Sequence, residues 1–242
     1  MSLETDSRVW AIIPAAGVGS RMGGDIPKQY LSLGNKPVIL HTLERLAQVP
    51  SIERLVVGLS AEDQYWPEML ADVESVAGKT VEIYVGGKER ADTVLNGLLA
   101  IEGKAKESDW VLVHDAARPC VRVSDIEQLL DKVRHDQVGG LLALPVADTV
   151  KRANDKTRSV ETVPRDHLWR ALTPQVFPYG ALKSALQRAL ENSVPVTDEA
   201  SAMEYAGSQP LLVTGHSDNI KITHPEDLKM AELFLSMQEK TS

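Results

Sequence analysis

The residues best placed to do chemistry lie in a glycine-rich loop that directly follows the apolar run at residues 9–13. Small residues at positions 15–17 and 19 are followed by two cations, Arg21 and Lys28. Free backbone N–H groups in such a loop form an anion-binding concavity, and glycine allows backbone angles that other residues resist. The pattern therefore predicts a site for a polyanion, most simply a nucleoside triphosphate. An ordinary strand-to-helix turn beside two solvated cations explains the same spacing, so the loop alone leaves both interpretations open.

Two familiar phosphate-binding loops do not match this segment. A P-loop needs Gly-Lys followed by Ser or Thr, and no such step follows Gly17. A dinucleotide fingerprint needs a third glycine three residues after Gly19, where the chain has Met22. The remaining pattern, G-x-G-x-R-M followed by P-K-Q, resembles the signature of nucleotidyltransferases that join a nucleoside triphosphate to a small phosphorylated alcohol.

The length and composition are those of an ordinary globular protein. The chain has 242 residues, of which 43% are hydrophobic and 25% are charged, and this length suits one α/β domain. The net charge of −8 argues against general binding to nucleic acid or to a membrane surface. The same charge repels an anionic substrate, so a local basic cluster is needed to bind one.

The chain has a single cysteine, Cys120, which excludes an internal disulfide and is typical of a reducing compartment. We interpret Cys120 as a small buried hydrophobic residue rather than a nucleophile. The polar N-terminus lacks a secretory apolar segment, and no stretch is apolar enough over a sufficient length to span a bilayer. We therefore expect a cytoplasmic protein.

Apolar runs alternate with helical patterns along the chain, which is typical of an α/β fold with a doubly wound, mostly parallel, Rossmann-like sheet. One domain over residues 1–242 is expected, without a linker or repeats. The strands are predicted at 9–14, 52–59, 81–85, 110–114, 139–146, 211–214 and 220–223. The helices are predicted at 37–49, 61–76, 89–101, 124–135, 179–191, 198–206 and 225–237.

Residues 148–164 interrupt this rhythm with alternating polar and apolar residues around a turn-like Asn154-Asp155 step. The segment resembles a β-hairpin that has too little apolar surface to be stable alone. We therefore predict a protruding arm that packs on another surface, most simply on a second subunit.

Five polar clusters follow predicted strands. In open α/β sheets, ligands bind outside the carboxyl ends of the strands. We expect these clusters to converge on one rim of the sheet: the Gly17 loop, residues 86–90, residues 115–118, Asp148 with Thr149, and Asp218 with Lys221.

Seven segments of the chain occur in the order found in one enzyme family, and the similarity around them covers about residues 9–234. The segments are PAAGVGSRM, PKQYL, GGKERADTV, VHDAARP, TPQVF, VTDEAS and DNIKIT. The chain thereby resembles the monofunctional 2-C-methyl-D-erythritol 4-phosphate cytidylyltransferases. The resemblance implies a fold of the nucleotide-diphospho-sugar transferase type and a homodimer in which each arm reaches the neighbouring subunit.

The resemblance also implies a reaction. CMP passes from CTP to 2-C-methyl-D-erythritol 4-phosphate, giving 4-diphosphocytidyl-2-C-methyl-D-erythritol and pyrophosphate, a step of non-mevalonate isoprenoid precursor biosynthesis. No nucleophilic side chain is needed, because the acceptor phosphate is already ionised at neutral pH. Mg²⁺ or another divalent cation is the expected cofactor, and neither nucleic acid nor a membrane is an expected partner.

Site residues follow from the family motifs, and Arg21, Lys28, Arg165 and Lys221 are the expected catalytic residues. Asp115 is the expected metal contact, although a helix cap or an ion pair with Arg118 would also explain it. The expected CTP site contains Pro14, Ala15, Ala16, Gly17, Gly19, Arg21, Lys28, Gly86, Gly87, Lys88, Thr93, Asp115 and Ala116. Residues expected to hold the acceptor are Arg118, Thr149, Arg165, Asp218 and Lys221.

Several local interpretations accompany these assignments. Lys88 stands where the family can have aspartate, so backbone recognition of the base is the safer interpretation there. Arg90 is expected to pair with Asp92 on its helix, and residues 197–199 to start a helix by capping. His114 and His216 are expected to be structural.

Two alternatives to the methylerythritol phosphate enzyme remain at the level of sequence. A ribitol 5-phosphate cytidylyltransferase shares the expected fold, CTP and much of the first loop. A non-catalytic nucleotide-binding regulator would need a ligand site but no second anion site.

Overall fold

An eight-stranded sheet forms the central layer of the protein in the computed structural model, which describes residues 7–17, 26–70, 73–136 and 138–240. The strand order across this sheet is β12-β8-β11-β7-β1-β4-β6-β5. In chain order the strands are β1 (Val9–Pro14), β2 (Ser32–Leu33), β3 (Lys36–Pro37), β4 (Ile52–Leu59), β5 (Ser75–Val76), β6 (Lys79–Val85), β7 (Trp110–Val113), β8 (Gly140–Pro145), β9 (Val150–Ala153), β10 (Ser159–Val163), β11 (Trp169–Pro178) and β12 (Leu211–Thr214).

The sheet is mostly parallel. β1 pairs in parallel with β4 and β7, β4 with β6, and β8 with β12. The antiparallel strand β11 lies between β7 and β8, and the short β5 is antiparallel to β6 at one edge. The central strand β1 is an uninterrupted apolar run because both of its faces are covered, as parallel strands usually are.

Helices cover both faces of the sheet. Alternate residues of β1 point to opposite sides, so that Ile13 joins the core beneath α1 and α4 while Ile12 joins the core beneath α3 and α5. This arrangement confirms the doubly wound fold class. The helices are α1 (Val38–Ala47), α2 (Tyr65–Leu70), α3 (Arg90–Ala100), α4 (Val123–Asp136), α5 (Tyr179–Glu191), α6 (Glu199–Tyr205) and α7 (Pro225–Glu239), with a 3-10 turn at Lys28–Tyr30.

The predicted helix over residues 61–76 is wrong, because among the described residues of this range only Tyr65–Leu70 is helical and Ser75–Val76 is a strand. The Asp63 carboxylate accepts the backbone N–H groups of Tyr65 and Trp66, at 3.0 and 2.9 Å, and thereby starts the helix late. A turn at residues 77–78, where both φ angles are positive, then folds the chain back into β6.

The predicted strand over residues 220–223 is also wrong, because this segment pairs with no strand of the described chain. Instead, the Ile222 N–H donates to the Ala117 carbonyl at 2.9 Å, which ties the segment to the loop after β7.

Strand β11 was not predicted at all. Its first residues are exposed, and Thr173, Pro174 and Gln175 interrupt its apolar pattern. Gln175 is nevertheless buried, because its amide donates to Asp198 at 2.9 Å and accepts from the Ala200 N–H at 2.8 Å.

The predicted arm is a hairpin that projects from the sheet. β9 and β10 pair with each other in antiparallel orientation, and nearly all of their side chains are exposed. The Asn154 side chain accepts the N–H groups of Lys156 and Arg158, both at 3.0 Å, and so fixes the turn.

In the described chain, no helix has both the length and the apolar character required to cross a membrane.

Candidate active site

The loops that follow β1, β6 and β7 meet at one rim of the sheet and line a cavity of about 270 Å³. Lys28 reaches this cavity from the 3-10 turn, and Lys221 reaches it from the loop after β12. The predicted nucleotide residues that line it are Pro14, Ala15, Ala16, Gly17, Lys28, Gly87, Lys88, Thr93, Asp115 and Ala116. Gly19 and Arg21, which were also predicted for this site, lie outside the described residues.

Gln29 fixes the first loop against the rest of the site. It is 3% exposed, and its amide donates to the carbonyl oxygens of Ala15 and Gly17 at 2.8 and 3.2 Å. Because Gln29 adjoins Lys28, these bonds link the position of the cation to that of the loop. A Cβ added at Gly17 would meet none of the described residues within 4 Å. Sequence reasoning missed Gln29, although the P-K-Q segment was the signal for it.

In the loop after β6, Gly86 and Gly87 have no room for a side chain, because other protein atoms lie too close. A Cβ at Gly86 would lie 2.5 Å from the Ala16 Cβ, and one at Gly87 would lie 2.3 Å from the Asp92 Cβ. The buried Thr93 hydroxyl accepts the Gly87 N–H at 3.0 Å and lies 3.1 Å from the Glu89 carbonyl, to which it can donate. Thr93 therefore holds the loop, and its contact with a nucleotide stays a prediction.

Asp115 lies at the end of the cavity with three cations around it. Its Oδ1 is 3.1 Å from Arg90 Nε, and its Oδ2 is 2.8 Å from Lys221 Nζ and 3.5 Å from Arg118 Nε. Burial alone raises the pKa of the Asp115 carboxyl, but the charges of Arg90, Lys221 and Arg118 together hold that pKa well below its usual range. Asp115 is therefore a carboxylate at any physiological pH, and its predicted ion pair with Arg118 is present.

Arg90 also makes a bidentate ion pair with Glu199, at the start of α6. Nη1 lies 2.7 Å from Oε1 and Nη2 lies 3.1 Å from Oε2, and the Glu199 side chain is 1% exposed. The predicted pairing of Arg90 with Asp92 is wrong, because Asp92 instead caps α3 by accepting the Glu89 N–H at 2.9 Å.

Asp198, the residue before Glu199, caps the N-terminus of α6. Asp198 accepts the Ser201 N–H at 2.9 Å, which confirms the predicted capping role at this helix start.

His114 supports Asp115 from the core. Its Nε2 lies 3.1 Å from the Arg118 carbonyl, which can only accept, so Nε2 carries the proton and Nδ1 accepts the Thr173 hydroxyl at 3.0 Å. That hydroxyl in turn accepts the Asp115 N–H at 3.1 Å. Complete burial lowers the pKa of His114 to about 4, so the ring is neutral and structural, as predicted.

A second cavity, of about 290 Å³, adjoins the first. Arg90, Asp115 and Lys221 line both cavities and so form a shared wall. Arg118, Thr173, Gln175 and Asp198 are among the other residues that line the second cavity. The charged side chains that line the two cavities are five cations, Lys28, Lys88, Arg90, Arg118 and Lys221, and three carboxylates, Glu89, Asp115 and Asp198. Glu199, which pairs with Arg90, is a fourth carboxylate, so the site has a local positive excess in a chain of net charge −8. The site can therefore hold two anions side by side.

The sequence model of one family, IspD: 2-C-methyl-D-erythritol 4-phosphate cytidylyltransferase, matches residues 9–237. The chain belongs to this family. A relative from Hahella chejuensis with that enzyme's name is 53% identical over 237 residues, covering 97% of each chain. Another, from Azoarcus sp., is 52% identical over 229 residues and covers 95% of this chain and 94% of its own.

Solved structures of the family have the same fold. The cytidylyltransferase of Francisella tularensis has a TM-score of 0.81 and 36% identity, with 94% of this chain and 100% of that chain covered. The bifunctional IspDF of Campylobacter jejuni has a TM-score of 0.74 and 28% identity, with 93% of this chain but only 54% of that chain covered.

Some residues predicted from the cytidylyltransferase motifs do not line either cavity. Thr149 and Arg165 are exposed at the two ends of the arm, where the Arg165 guanidinium donates to the Ala147 carbonyl. Gly86 packs against Ala16, which lines the first cavity, but does not line that cavity itself.

Asp218 is buried beside Arg122 and was expected to line the same site as Lys221. Its Oδ2 accepts from Arg122 Nη2 at 2.7 Å and from Gln238 Nε2 at 3.0 Å, in a separate cavity between α4 and α7. The structure thus corrects the expected juxtaposition of Asp218 and Lys221, because the loop that carries both turns between them. The contact of Asp218 with substrate hydroxyls stays a prediction.

Two residues outside the cytidylyltransferase site match their structural interpretation. His216 Nδ1 lies 2.7 Å from the buried Asp125. Cys120 is fully buried, and burial raises the pKa of its thiol to about 12, which makes it a poor nucleophile at neutral pH.

The donor set suits a metal that takes few protein ligands. Among the described residues, no cluster of three or more His, Cys, Asp or Glu side chains could hold a metal ion. Asp115 supplies one carboxylate at the shared wall. Mg²⁺ commonly binds through one or two carboxylates and takes its other ligands from water and substrate phosphates. One carboxylate in a cavity lined by cations therefore fits Mg²⁺ and does not fit a metal that needs an all-protein cage.

Proposed function

We propose that this protein transfers CMP from CTP to 2-C-methyl-D-erythritol 4-phosphate and releases pyrophosphate. The observation that carries this proposal is the wall of Arg90, Asp115 and Lys221 that the two cavities share. A transfer between two anions needs two adjoining sites with positive charge where they meet, whereas a nucleotide-binding regulator needs only one site. Membership of the cytidylyltransferase family supports the identity of both substrates.

CTP occupies the first cavity in this proposal. The small residues after β1 and the Gly86-Gly87 loop offer backbone groups to the base and ribose, and Lys28 lies where the triphosphate would extend. A cation about 4 Å from a phosphate charge near a protein surface interacts by roughly 4 kcal/mol before desolvation. Arg21 acts with Lys28 on the developing charge, as the family motif implies.

The acceptor phosphate lies in the second cavity, near Arg118 and Lys221. One of its oxygens attacks the α-phosphorus of CTP; the new P–O bond forms as the bond to the β-phosphate oxygen breaks, and pyrophosphate leaves with that electron pair. The protein acts by bringing the two anions into line and by offsetting their charge. No side chain is needed as a nucleophile.

Asp115 is the residue that would hold Mg²⁺ at the shared wall. When bound, the ion would neutralise part of the triphosphate charge and polarise the α-phosphate. Lys221 Nζ, which is 2.8 Å from Asp115 Oδ2, would then be available to the acceptor phosphate.

The arm completes the acceptor site of a second subunit in this proposal. Residues 148–164 are largely exposed, and their two strands pair only with each other within the described chain. Thr149 and Arg165 stand at the two ends of the arm and do not line either cavity of their own protomer. A homodimer with exchanged arms brings both side chains to the acceptor phosphate of the partner.

The proposal is tested by incubating the protein with CTP, Mg²⁺ and one of two acceptors, methylerythritol 4-phosphate or ribitol 5-phosphate, while pyrophosphate release is followed. We expect rapid release with methylerythritol phosphate and at most slow release with ribitol phosphate. Faster release with ribitol phosphate would make the protein a ribitol phosphate cytidylyltransferase. CTP binding with no release in either mixture would support the non-catalytic regulator.

A further inference from the structure

Arg90 and Glu199 lie at the first residues of two different helices, α3 and α6, and their ion pair joins those helices at the rim. Glu199 is 1% exposed, and a buried carboxylate is stable only when it is paired and hydrogen-bonded. Because both Glu199 oxygens accept from the guanidinium, the plane of the Arg90 fork is fixed.

Two of the five N–H donors of Arg90 go to Glu199, and the Nε–H goes to Asp115. The Arg90 Nε points to Asp115 Oδ1 at 3.1 Å, while Nη1 and Nη2 face Glu199. The two oxygens of Asp115 are therefore in different surroundings. Oδ1 is held by an arginine that is itself held, whereas the hydrogen bond to Oδ2 comes from Lys221, a single amine whose side chain is 37% exposed on a loop. Arg118 Nε lies farther from Oδ2, at 3.5 Å, and makes no hydrogen bond.

We propose that Arg90 is a positioning residue for the nucleotidyl transfer, anchoring Asp115 Oδ1 so that Oδ2 alone is presented to the incoming metal–nucleotide. Glu199 is the partner that fixes Arg90 in this role. The proposal rests on the proposed function, because it assigns Asp115 to the metal–nucleotide complex. Sequence reasoning did not anticipate it, since Arg90 was paired with Asp92 on the same helix.

The chemistry explains why an arginine is needed at this position. Lysine carries the same charge but has one nitrogen, so it cannot bind both Glu199 oxygens and also reach Asp115 with fixed geometry. Arg90→Lys therefore keeps the local charge and removes the anchor. Loss of such an outer contact to a metal-binding group typically lowers metal affinity or activity by roughly 10- to 100-fold.

The test compares Arg90→Lys with wild type in three measurements. The first two are the turnover number and the KM for CTP, and the third is the affinity for Mn²⁺ in the presence of a non-hydrolysable CTP analogue, followed by electron paramagnetic resonance. We expect turnover and Mn²⁺ affinity each to fall roughly 10- to 100-fold, with a much smaller change in KM. Arg54→Lys is the matched control, because Arg54 pairs with Glu82 at 2.6 Å and lines neither cavity.

A second variant covers the case in which Arg90→Lys does not fold. Glu199→Gln leaves the Arg90 charge in place but weakens its fixation, so we expect the same direction of change with a smaller size. Folded variants with wild-type turnover and wild-type Mn²⁺ affinity would overturn the proposal. So would an equal loss in the Arg54→Lys control.

The same measurements separate this proposal from the proposed function. Pyrophosphate release by the wild-type protein tests the function itself. The ratio of variant to wild-type Mn²⁺ affinity tests the positioning role and does not depend on which acceptor is used.

Discussion

Lys221 Nζ lies 2.8 Å from Asp115 Oδ2, so the loop after β12 delivers its cation to the carboxylate that follows β7. The contact closes the wall between the two cavities from the side opposite Arg90. Lys221 is held less firmly than Arg90, because its amine pairs with Asp115, whereas the Arg90 guanidinium pairs with both Asp115 and Glu199. The Lys221 side chain is also 37% exposed. This cation can therefore change partner when substrates bind.

Replacing Lys221 by alanine should mainly weaken binding of the acceptor. Loss of one hydrogen bond to a charged group should raise the KM for methylerythritol phosphate by roughly 10- to 100-fold. The dissociation constant for CTP should change less. Steady-state kinetics with each substrate varied in turn, together with calorimetry for CTP, measures both. Lys104→Ala is the control, because Lys104 pairs with Glu82 away from both cavities. A defect confined to CTP would contradict the assignment of Lys221.

His114 should make the stability of the protein depend on pH between about 4 and 6.5. Burial lowers its pKa from 6.5 to about 4, so below pH 6.5 the unfolded chain binds a proton that the folded chain does not. The free energy of unfolding therefore falls as the pH drops through this window, by on the order of 3 kcal/mol in total. Above pH 6.5 this contribution does not change with pH.

His114→Gln isolates the effect, because glutamine keeps a donor and an acceptor but does not titrate. Urea denaturation at several pH values should give a flatter profile for His114→Gln than for wild type between pH 4 and 6.5. The exposed His135 supplies the control variant His135→Gln, whose profile should follow that of wild type. Parallel profiles for wild type and His114→Gln would show that the proton uptake occurs elsewhere.

If the arm reaches the active site of a second subunit, two inactive variants should restore activity when they are combined in one dimer. If each site uses Lys28 from one chain and Arg165 from the other, Lys28→Ala and Arg165→Ala are both nearly inactive alone. In a mixed dimer one site then receives both mutations and the other receives neither. Random reassembly of an equal mixture makes about half of the dimers mixed, so roughly a quarter of wild-type activity should return.

This measurement requires the mixture to be dissociated and reassembled, with heterodimers verified by native mass spectrometry. The unmixed variants treated in the same way are the control. Verified heterodimers without recovered activity would mean that Arg165 serves its own chain or that the arm has another purpose.

Sequence reasoning predicted what depends on local pattern. The continuous apolar run of β1 and the small residues after it predicted a cavity at the rim of the sheet, and Asp115 and Lys221 line the cavity found there. Its use by a nucleotide stays a prediction. The arm was also predicted from its polarity, because a hairpin without an apolar face cannot lie within the core.

What was missed depends on contacts between distant segments. Strand β11 is buried only because the Gln175 amide finds partners on the segment around α6. The pairing of Arg90 with Glu199 likewise follows from the packing of helices, so a local i, i+2 neighbour such as Asp92 was preferred instead. The position of Asp218 beside Arg122 depends on a turn that no periodicity records.

The central claim is that the acceptor phosphate attacks CTP directly across the shared wall, without a covalent intermediate on the protein. The stereochemistry at the α-phosphorus tests this most directly. The substrate is one diastereomer of the CTP analogue in which sulfur replaces a non-bridging oxygen on the α-phosphorus, and phosphorus NMR identifies the configuration of the product. One in-line displacement predicts inversion of configuration. Retention would require two displacements through a side-chain nucleophile, and it would contradict the account.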